Sequence, residues 1–475
     1  MYKKLFSETL IYGLGSVIPR LINFLLISFI TKPIGVAEFS IYTQLYGFAS
    51  MINVFLSFGF ETTYFRYASE NDNEKKVFNT AFIFLTGLSI FFLLMVYLGI
   101  KPITYFTQYQ QNPEYIIWFS WFIILDNICV IPFARLRYLG KPLYYTIVKL
   151  MNIFIMFGLV IFFLKIIQNV PYSFLGFEIK QKIGFVFVAN FFASFLTIFM
   201  LIPVLKNFSF SLDRKLFFKM IQYSSPIMFG GLAFALNENF DKMIQRRLIS
   251  NEDAGAYGAC YKLAALMSVF VMAFRMGVEP FFFKQMKSDN PKQTYATTTE
   301  LFTIIGGLIV VVLLGNIEWL KDIFLKRPEY FTAMNIVPII ITANLCSGIY
   351  NTMSVWYKVT DKTYIGSRIS WFAAILTVAL NLILLKYFGF MVSAWVTLLA
   401  YGSMLFLSYY LGQKHYKIPY KIRKIMLYMI LSVSLGSINF YLLNSSIIFG
   451  NLFILIYLGI VYYLEKNYLL KAILK

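Results

Sequence analysis

Runs of about 20 apolar residues recur along the whole chain, separated by short polar segments. As an α-helix, a run of this length crosses the hydrocarbon core of a bilayer, which is about 30 Å thick. Only 13% of the 475 residues are charged and the mean hydropathy is +0.69, whereas about a quarter of the residues of a soluble domain are charged. The pattern predicts an all-α integral membrane protein with about 14 transmembrane helices and almost no chain left for a soluble domain.

The first apolar run is too long for a cleaved signal peptide, and no small-residue cleavage site follows it. We therefore count it as a membrane span. The predicted spans cover residues 9–31, 38–60, 77–99, 115–134, 143–164, 183–205, 219–240, 254–276, 301–319, 330–352, 364–385, 390–412, 425–443 and 447–464.

Lysine and arginine residues are concentrated at alternate span ends. Because basic residues near span ends are retained in the cytoplasm, this distribution predicts that both termini are cytoplasmic. The net charge of +20 is then explained by topology and by contact with anionic membrane lipids. A nucleic-acid partner is not expected, since the basic residues are dispersed over the loops.

Short segments of the two halves resemble each other. "EFSIYTQLY" (38–46) pairs with "DAGAYGACY" (253–261), and "GFETTYFR" (59–66) pairs with "GVEPFFFK" (277–284). Chance similarity between apolar helices is the alternative. If the segments are copies, six crossings per repeat give two pseudo-symmetric lobes of the same orientation. The predicted lobes cover residues 1–210 and 211–415, with two extra helices at 416–475.

Several charged side chains fall inside predicted spans. The first span contains "GLGSVIPRLINFLLIS" (13–28), in which Arg20 and Asn23 lie on one helical face. A charge at the bilayer centre costs about 2.5–3.5 kcal/mol, so it usually faces a cavity or a partner. Cations outnumber anions here, and arginine and lysine both bind phosphate groups. The candidate substrate-binding residues are Arg20, Asn23, Lys149, Lys262, Arg275 and Asn351.

Other polar residues align at helical spacing, among them Ser50, Asn53 and Ser57 on the second span. The structural alternative is that such groups hydrogen-bond between helices. In the same way, Arg20 or Lys149 can pair with Asp126.

Three intramembrane carboxylates are candidates for ion coupling, namely Asp126, Glu238 and Asp241. Each can bind H⁺ or Na⁺, or can serve as a structural partner for a cation. The chain has no G-x-x-x-x-G-K-[ST] phosphate loop. Transport would therefore use an ion gradient or the gradient of the substrate itself, and no other cofactor is expected.

Two acidic residues near span ends, Glu61 and Glu279, are each followed by a cation, Arg66 and Lys284 respectively. Exposed helix-end ion pairs of this kind are common and weak. The functional alternative is a cytoplasmic gate whose halves separate during transport.

The three cysteines, Cys129, Cys260 and Cys346, lie inside predicted spans without a metal-site spacing. The single histidine, His415, lies in a loop beside lysines. The sequence therefore predicts neither a disulfide framework nor a metal site.

The segments "YGLGSVIPRLINFLL" (12–26) and "FSIYTQLYGFASMINVFLSFGFETTYFRYASE" (39–70) resemble the Wzx-type polysaccharide flippases. These belong to the multidrug/oligosaccharidyl-lipid/polysaccharide (MOP) exporter superfamily. The resemblance implies a V-shaped pair of six-helix lobes with alternating access. It also implies transfer of an undecaprenyl-diphosphate-linked oligosaccharide, such as an O-antigen unit of lipopolysaccharide, to the periplasmic leaflet of a bacterial inner membrane. Partners would include membrane lipids and the polysaccharide polymerase machinery, and Arg20 matches a cavity cation of the family.

Two other functions are open. A cation-coupled multidrug exporter of the same superfamily would favour acidic cavity residues over arginine. A membrane enzyme of polysaccharide assembly would need a positioned acid, base or metal, usually on a long external loop. No predicted external loop exceeds about 20 residues, a length at which loops usually only connect. Enzyme activity is therefore not expected.

Overall fold

The computed structural model describes residues 18–19, 21–70, 74–166, 173–206, 208–286 and 289–473. Over these residues the chain forms α-helices, one 3₁₀-helix and one short β-hairpin. The first elements are α1 Leu21–Thr31, α2 Val36–Ser57, α3 Phe60–Glu70, α4 Glu74–Leu98, α5 Ile100–Thr107, α6 Pro113–Tyr138, α7 Pro142–Ile166, β1 Ser173–Phe174, β2 Phe177–Glu178, α8 Lys182–Leu205 and α9 Arg214–Leu248. The remaining elements are α10 Asn251–Ala264, α11 Leu266–Gln285, α12 Pro291–Gly315, α13 Ile317–Phe324, the 3₁₀-helix Pro328–Ala333, α14 Ile336–Met353, α15 Val355–Val359, α16 Thr363–Phe388, α17 Met391–His415, α18 Ile422–Tyr441 and α19 Ile447–Ile473.

Eleven helical segments of the described residues are long and apolar enough to cross a membrane. They correspond to predicted spans 3 to 6 and 8 to 14, and they confirm the prediction of an all-α membrane chain. Helices α1, α2 and α9 do not meet the same criteria of length and hydropathy. The count of about 14 crossings therefore stays a prediction.

The seventh and eighth spans differ from their predicted bounds. Instead of a helix over 219–240, α9 extends for 35 residues from Arg214 and is capped by Asp213, whose carboxylate accepts a hydrogen bond of 3.0 Å from the Leu216 N–H. This bond holds the pKa of Asp213 below its usual range. The segment predicted as one span over 254–276 is divided at Ala265 into α10 and α11, and only α11 is apolar enough to cross a membrane.

The second span ends earlier than predicted. Helix α2 stops at Ser57 because Phe58 and Gly59 have positive φ angles of 50° and 69°. A side chain at Gly59 would also be obstructed, since a Cβ there would lie 3.0 Å from the Ile227 side chain and 3.1 Å from the Ser224 carbonyl oxygen. At this break the chain keeps its direction, since α2 and α3 both pack along α9.

The chain forms two compact units, Met1–Gly255 and Ala256–Lys475. In the first unit, α6 is the central helix and packs against α2, α4, α7 and α8. In the most apolar 18-residue stretch of α6, 78% of the residues are buried, compared with 28% in that of α7. Polar residues on α6 are therefore held among other helices, whereas much of α7 is exposed.

In the second unit, α14 is the most buried helix and packs against α11, α12 and α17. The last two helices, α18 and α19, both pack on α12. Glu300 on α12 is 6% exposed and pairs with Lys421 and Lys424, at 3.0 and 3.2 Å. Lys424 also contacts Glu465 on α19 at 2.6 Å, so one ionic network joins the three helices. The predicted division into lobes at residues 210/211 and 415/416 stays a prediction.

Candidate substrate cavity

A polar cavity of about 360 Å³ lies within the first unit, between α2, α6, α7 and α8. Each of these helices contributes at least one polar side chain to its wall. The polar lining residues are Asn53, Ser57, Asp126, Asn127, Lys149, Asn152 and Thr197.

Lys149 brings a positive charge to this cavity. It is half-buried on α7, two turns from the start of the helix. Its Nζ lies 4.1 Å from the centroid of the Phe133 ring, and it forms no ion pair with any carboxylate of the described residues. A ring face compensates an ammonium group only in part, by about 0.5–2 kcal/mol. Lys149 therefore has the capacity to bind an anion that enters the cavity.

Asp126 brings the opposite charge, from the middle of α6. Its side chain is exposed to the cavity, and Oδ1 accepts a hydrogen bond of 2.6 Å from Ser194 Oγ. The ion pair with Lys149 that the sequence left open is not formed, although both residues line one cavity. The two charges therefore face the same cavity without a direct contact.

Asn127 contributes an acceptor that has no partner. Its Nδ2 donates to Ser89 Oγ at 2.8 Å and lies 3.4 Å from the Leu56 carbonyl oxygen, which ties α6 to α4 and α2. Its Oδ1 is buried without a hydrogen-bond partner among the described residues. Buried amide oxygens are usually satisfied, and water or a ligand often supplies the missing bond.

Asn152 and Thr197 close the wall between α7 and α8. Asn152 Nδ2 donates a hydrogen bond of 2.9 Å to Thr197 Oγ1. Asn152 stands one turn from Lys149, so this bond holds the helix face that carries the lysine.

Of the other predicted substrate-binding residues, Asn23, Lys262, Arg275 and Asn351 do not line this cavity. Arg20 lies outside the described residues. Asn23 is exposed on α1. In the second unit, Lys262 is half-buried on α10, Arg275 is exposed on α11 and Asn351 is half-buried on α14. Their contact with substrate stays a prediction.

The two further carboxylates, Glu238 and Asp241, lie on α9. Asp241 is 3% exposed, and its Oδ1 lies 3.3 Å from Lys242 Nζ. Lys242 Nζ also donates to the Glu238 carbonyl oxygen. Asp241 therefore has a structural partner from its own helix, which Asp126 does not.

The predicted gate residues form ion pairs with partners other than those expected. Glu61 pairs with Arg137 at the end of α6 instead of with Arg66, whose guanidinium lies 4.3 Å from the Tyr223 ring centroid. Likewise, Glu279 pairs with Lys358 on α15 at 2.5 Å, not with Lys284. Residues five positions apart point to different faces of a helix, so partners on neighbouring helices are closer.

The helical spacing of polar residues in the sequence predicts part of the cavity wall but not all of it. The stripe of Asn53 and Ser57 was visible as helical spacing, and so was Asn152 beside Lys149. Asn127 has no polar neighbour at helical spacing that would mark it as a cavity residue, whereas Thr197 follows Asn190 and Ser194 at spacings that form a polar face on α8.

The family described as "Polysaccharide biosynthesis protein" matches residues 5–286, and the MatE family matches residues 226–383. No protein of curated function matches the chain in sequence.

Solved structures of similar fold cover most of the chain. The lipid II flippase MurJ in an inward closed conformation has a TM-score of 0.72 and 12% identity, over 96% of this chain and 99% of its own. An inward-facing multidrug resistance MATE family transporter of the MOP superfamily has a TM-score of 0.68 and 9% identity, over 86% and 97%. The Vibrio cholerae MATE transporter VcmN has a TM-score of 0.59 and 15% identity, over 87% and 96%. At these identities the likeness shows the fold alone.

Proposed function

Because the chain belongs to the polysaccharide biosynthesis protein family of the MOP exporter superfamily, we propose that it is a flippase for a lipid-linked oligosaccharide. The cargo is an undecaprenyl-diphosphate-linked glycan that moves from the cytoplasmic to the periplasmic leaflet by alternating access. The family consists of transporters, which confirms the prediction that the chain is not an enzyme. An O-antigen unit of lipopolysaccharide is the cargo class that we favour, with the polymerase machinery as downstream partner.

The observation that carries this proposal is Lys149 in the polar cavity. A lysine kept inside a membrane-embedded helix bundle costs free energy unless something compensates its charge. The Phe133 ring at 4.1 Å compensates it in part, and a diphosphate would do so fully. Asn53 and Asn152, which also line the cavity, offer amide groups to the adjoining sugar.

The coupling ion is assigned to Asp126. A diphosphate beside Lys149 would lie near this carboxylate, and repulsion between them falls when Asp126 binds H⁺ or Na⁺. Glu238 and Asp241 remain secondary candidates, and Arg20, Asn23, Lys262, Arg275 and Asn351 remain candidates for the rest of the substrate path.

The proposed architecture has 14 transmembrane helices. The eleven segments already described are joined by α1, which is apolar but short within the described residues, and by α2 and α9, which carry more polar residues. We assign six helices to each of two pseudo-symmetric lobes and treat α18 and α19 as additions. We place the chain in the bacterial inner membrane with both termini in the cytoplasm.

Complementation of a flippase-deficient strain tests the function. Wild-type protein should restore surface polysaccharide, and Lys149→Ala should abolish it while the protein still inserts in the membrane. Lys149→Arg should retain part of the activity, because it keeps the charge. The matched control is Lys165→Ala, since Lys165 lies on the same helix over another ring, that of Phe29, at 5.7 Å but outside the cavity. Full activity of Lys149→Ala would contradict the assignment.

A multidrug exporter is the second candidate, favoured by the MatE match and by the exposure of Asp126 to the cavity. A deletion strain that is hypersensitive to cationic drugs, yet makes normal surface polysaccharide, would support this function instead.

A further inference from the structure

An apolar pocket of about 410 Å³ lies in the first unit, between α2, α4, α5 and α6. It shares no lining residue with the cavity that contains Lys149. Only two of its lining residues, Thr107 and Ser120, carry a hydroxyl group. The main apolar groups of its wall are Phe48, Phe92, Ile103, Phe106, Phe119 and Ile123.

The pocket is continuous with the lipid-facing surface at α5. Phe106 forms part of the wall and is nevertheless 58% exposed, and its neighbour Tyr105 is 70% exposed. Leu98, just before α5, is 72% exposed. In a membrane chain, exposed apolar and aromatic side chains of this kind contact lipid. A hydrocarbon chain can therefore pass from the bilayer into the pocket.

A positive charge stands at the mouth of the pocket. Arg247, near the end of α9, donates one hydrogen bond of 3.2 Å to the Phe106 carbonyl oxygen, and its guanidinium lies 5.1 Å from the Phe106 ring centroid. A guanidinium has five N–H donors, and Arg247 forms no ion pair with the described carboxylates. The adjacent Arg246 differs, since it donates to Tyr109 and Asn251. Lys101 on α5 is a second exposed cation.

We propose that this pocket binds one acyl chain of an anionic phospholipid, whose phosphate group is bound by Arg247. Pockets of about 300–1,000 Å³ are typical for small ligands, and this one accommodates an acyl chain better than a long polyprenyl tail. The pocket is also separate from Lys149, to which we assign the phosphate groups of the cargo. The bound lipid is therefore a resident of the first unit and is not the transported molecule; this distinction rests on the proposed function, whereas the binding of an acyl chain does not.

Native mass spectrometry of the full-length protein tests this site. The probes are phosphatidylglycerol and phosphatidylcholine with identical acyl chains, and undecaprenyl phosphate. Wild-type protein should retain phosphatidylglycerol preferentially. Arg247→Gln should lower its retention about fivefold, the effect of one basic residue on an anionic lipid, and should lower that of phosphatidylcholine less, because the choline group already compensates its phosphate. Ile103→Trp should lower the retention of both phospholipids, because the indole fills the pocket.

The matched control is Arg214→Gln, which removes an exposed arginine from the opposite end of the same helix and should change nothing. Equal retention of phosphatidylglycerol by wild-type protein and Arg247→Gln would overturn the phosphate contact. Retention unaffected by Ile103→Trp would overturn the pocket. Displacement of phosphatidylglycerol from wild-type protein by undecaprenyl phosphate would overturn the assignment to a phospholipid.

Discussion

Lys149 and Asp126 illustrate what a charged side chain inside an apolar helix reveals. The free-energy cost of a charge in a bilayer predicts that each side chain faces a cavity or a charged partner. In the structure both line one cavity, without an ion pair between them. The sequence predicted that these residues are unusual. It did not predict which helix would lie opposite them, because that depends on contacts between distant segments.

Glycine is required at position 450 by the distance between two helices. A Cβ atom on Gly450 of α19 would lie 2.1 Å from the Gly315 carbonyl oxygen of α12. We expect Gly450→Ala to destabilise the protein by about 1–3 kcal/mol, the usual effect of overpacking. The midpoint of thermal unfolding in detergent should fall accordingly.

Gly459 on the same helix provides the control, because nothing lies within 4 Å of a Cβ placed there. Gly459→Ala should leave the midpoint unchanged or raise it. In a helix interior, alanine is more favourable than glycine by up to about 1 kcal/mol of folding free energy. Equal midpoints for the two variants would show that α19 does not depend on this close approach.

Similar ion pairs join corresponding helices in the two units. In the first unit Glu61 on α3 pairs with Arg137 at the end of α6. In the second unit Glu279 on α11 pairs with Lys358 on α15. Glu61 and Glu279 occupy the same place in the two segments that resemble each other in sequence. The correspondence agrees with the proposed repeat, and a role for these pairs in gating stays a prediction.

Reversing one pair tests the gate. Exposed ion pairs contribute only about 0.2–1 kcal/mol to stability, so Glu279→Lys should hardly change the unfolding midpoint. If the pair serves the transport cycle, the same variant should lose complementation, and the double variant Glu279→Lys/Lys358→Glu should regain it.

Glu318→Lys is the control for that experiment, because Glu318 pairs with Lys321 within α13 and joins no other helix. It should complement normally. Full activity of Glu279→Lys would leave the pair with a structural role only.

The helices that the sequence predicts best are those with apolar side chains on nearly all faces. Most apolar spans coincide with observed helices because hydropathy alone determines them. The predicted span 219–240 is shorter than α9, because the second half of the helix carries the charged residues Asp241 and Lys242. These two residues are buried against α2 and are not exposed to lipid. The division at Ala265 was not predicted because no glycine or proline marks it.

Buried cysteines make the proposed topology easy to measure. Cys129, Cys260 and Cys346 are all buried, so the wild-type protein should react little with a membrane-impermeant maleimide. A cysteine at Glu178 on the exposed hairpin should be labelled in intact cells. A cysteine at Lys141, in the turn between α6 and α7, should be labelled only after lysis, because α7 separates the two positions.

A cysteine added after Lys475 should behave like the one at Lys141 if the chain crosses the membrane 14 times with both termini inside. Labelling of this terminal cysteine in intact cells would indicate an odd number of crossings. Labelling of Lys141→Cys, but not of Glu178→Cys, would indicate the inverted orientation.

The break between α2 and α3 at Phe58 and Gly59 also affects how freely this sequence can diverge over time. Position 59 has a left-handed backbone, and an added Cβ atom there would lie 3.0 Å from the Ile227 side chain and 3.1 Å from the Ser224 carbonyl oxygen, so neither a change of backbone nor a shift of its neighbours readily admits a side chain. Lipid-facing positions such as Leu98 accept any apolar residue. Descendants of this chain should therefore differ widely over their outer surface while inheriting this glycine unaltered.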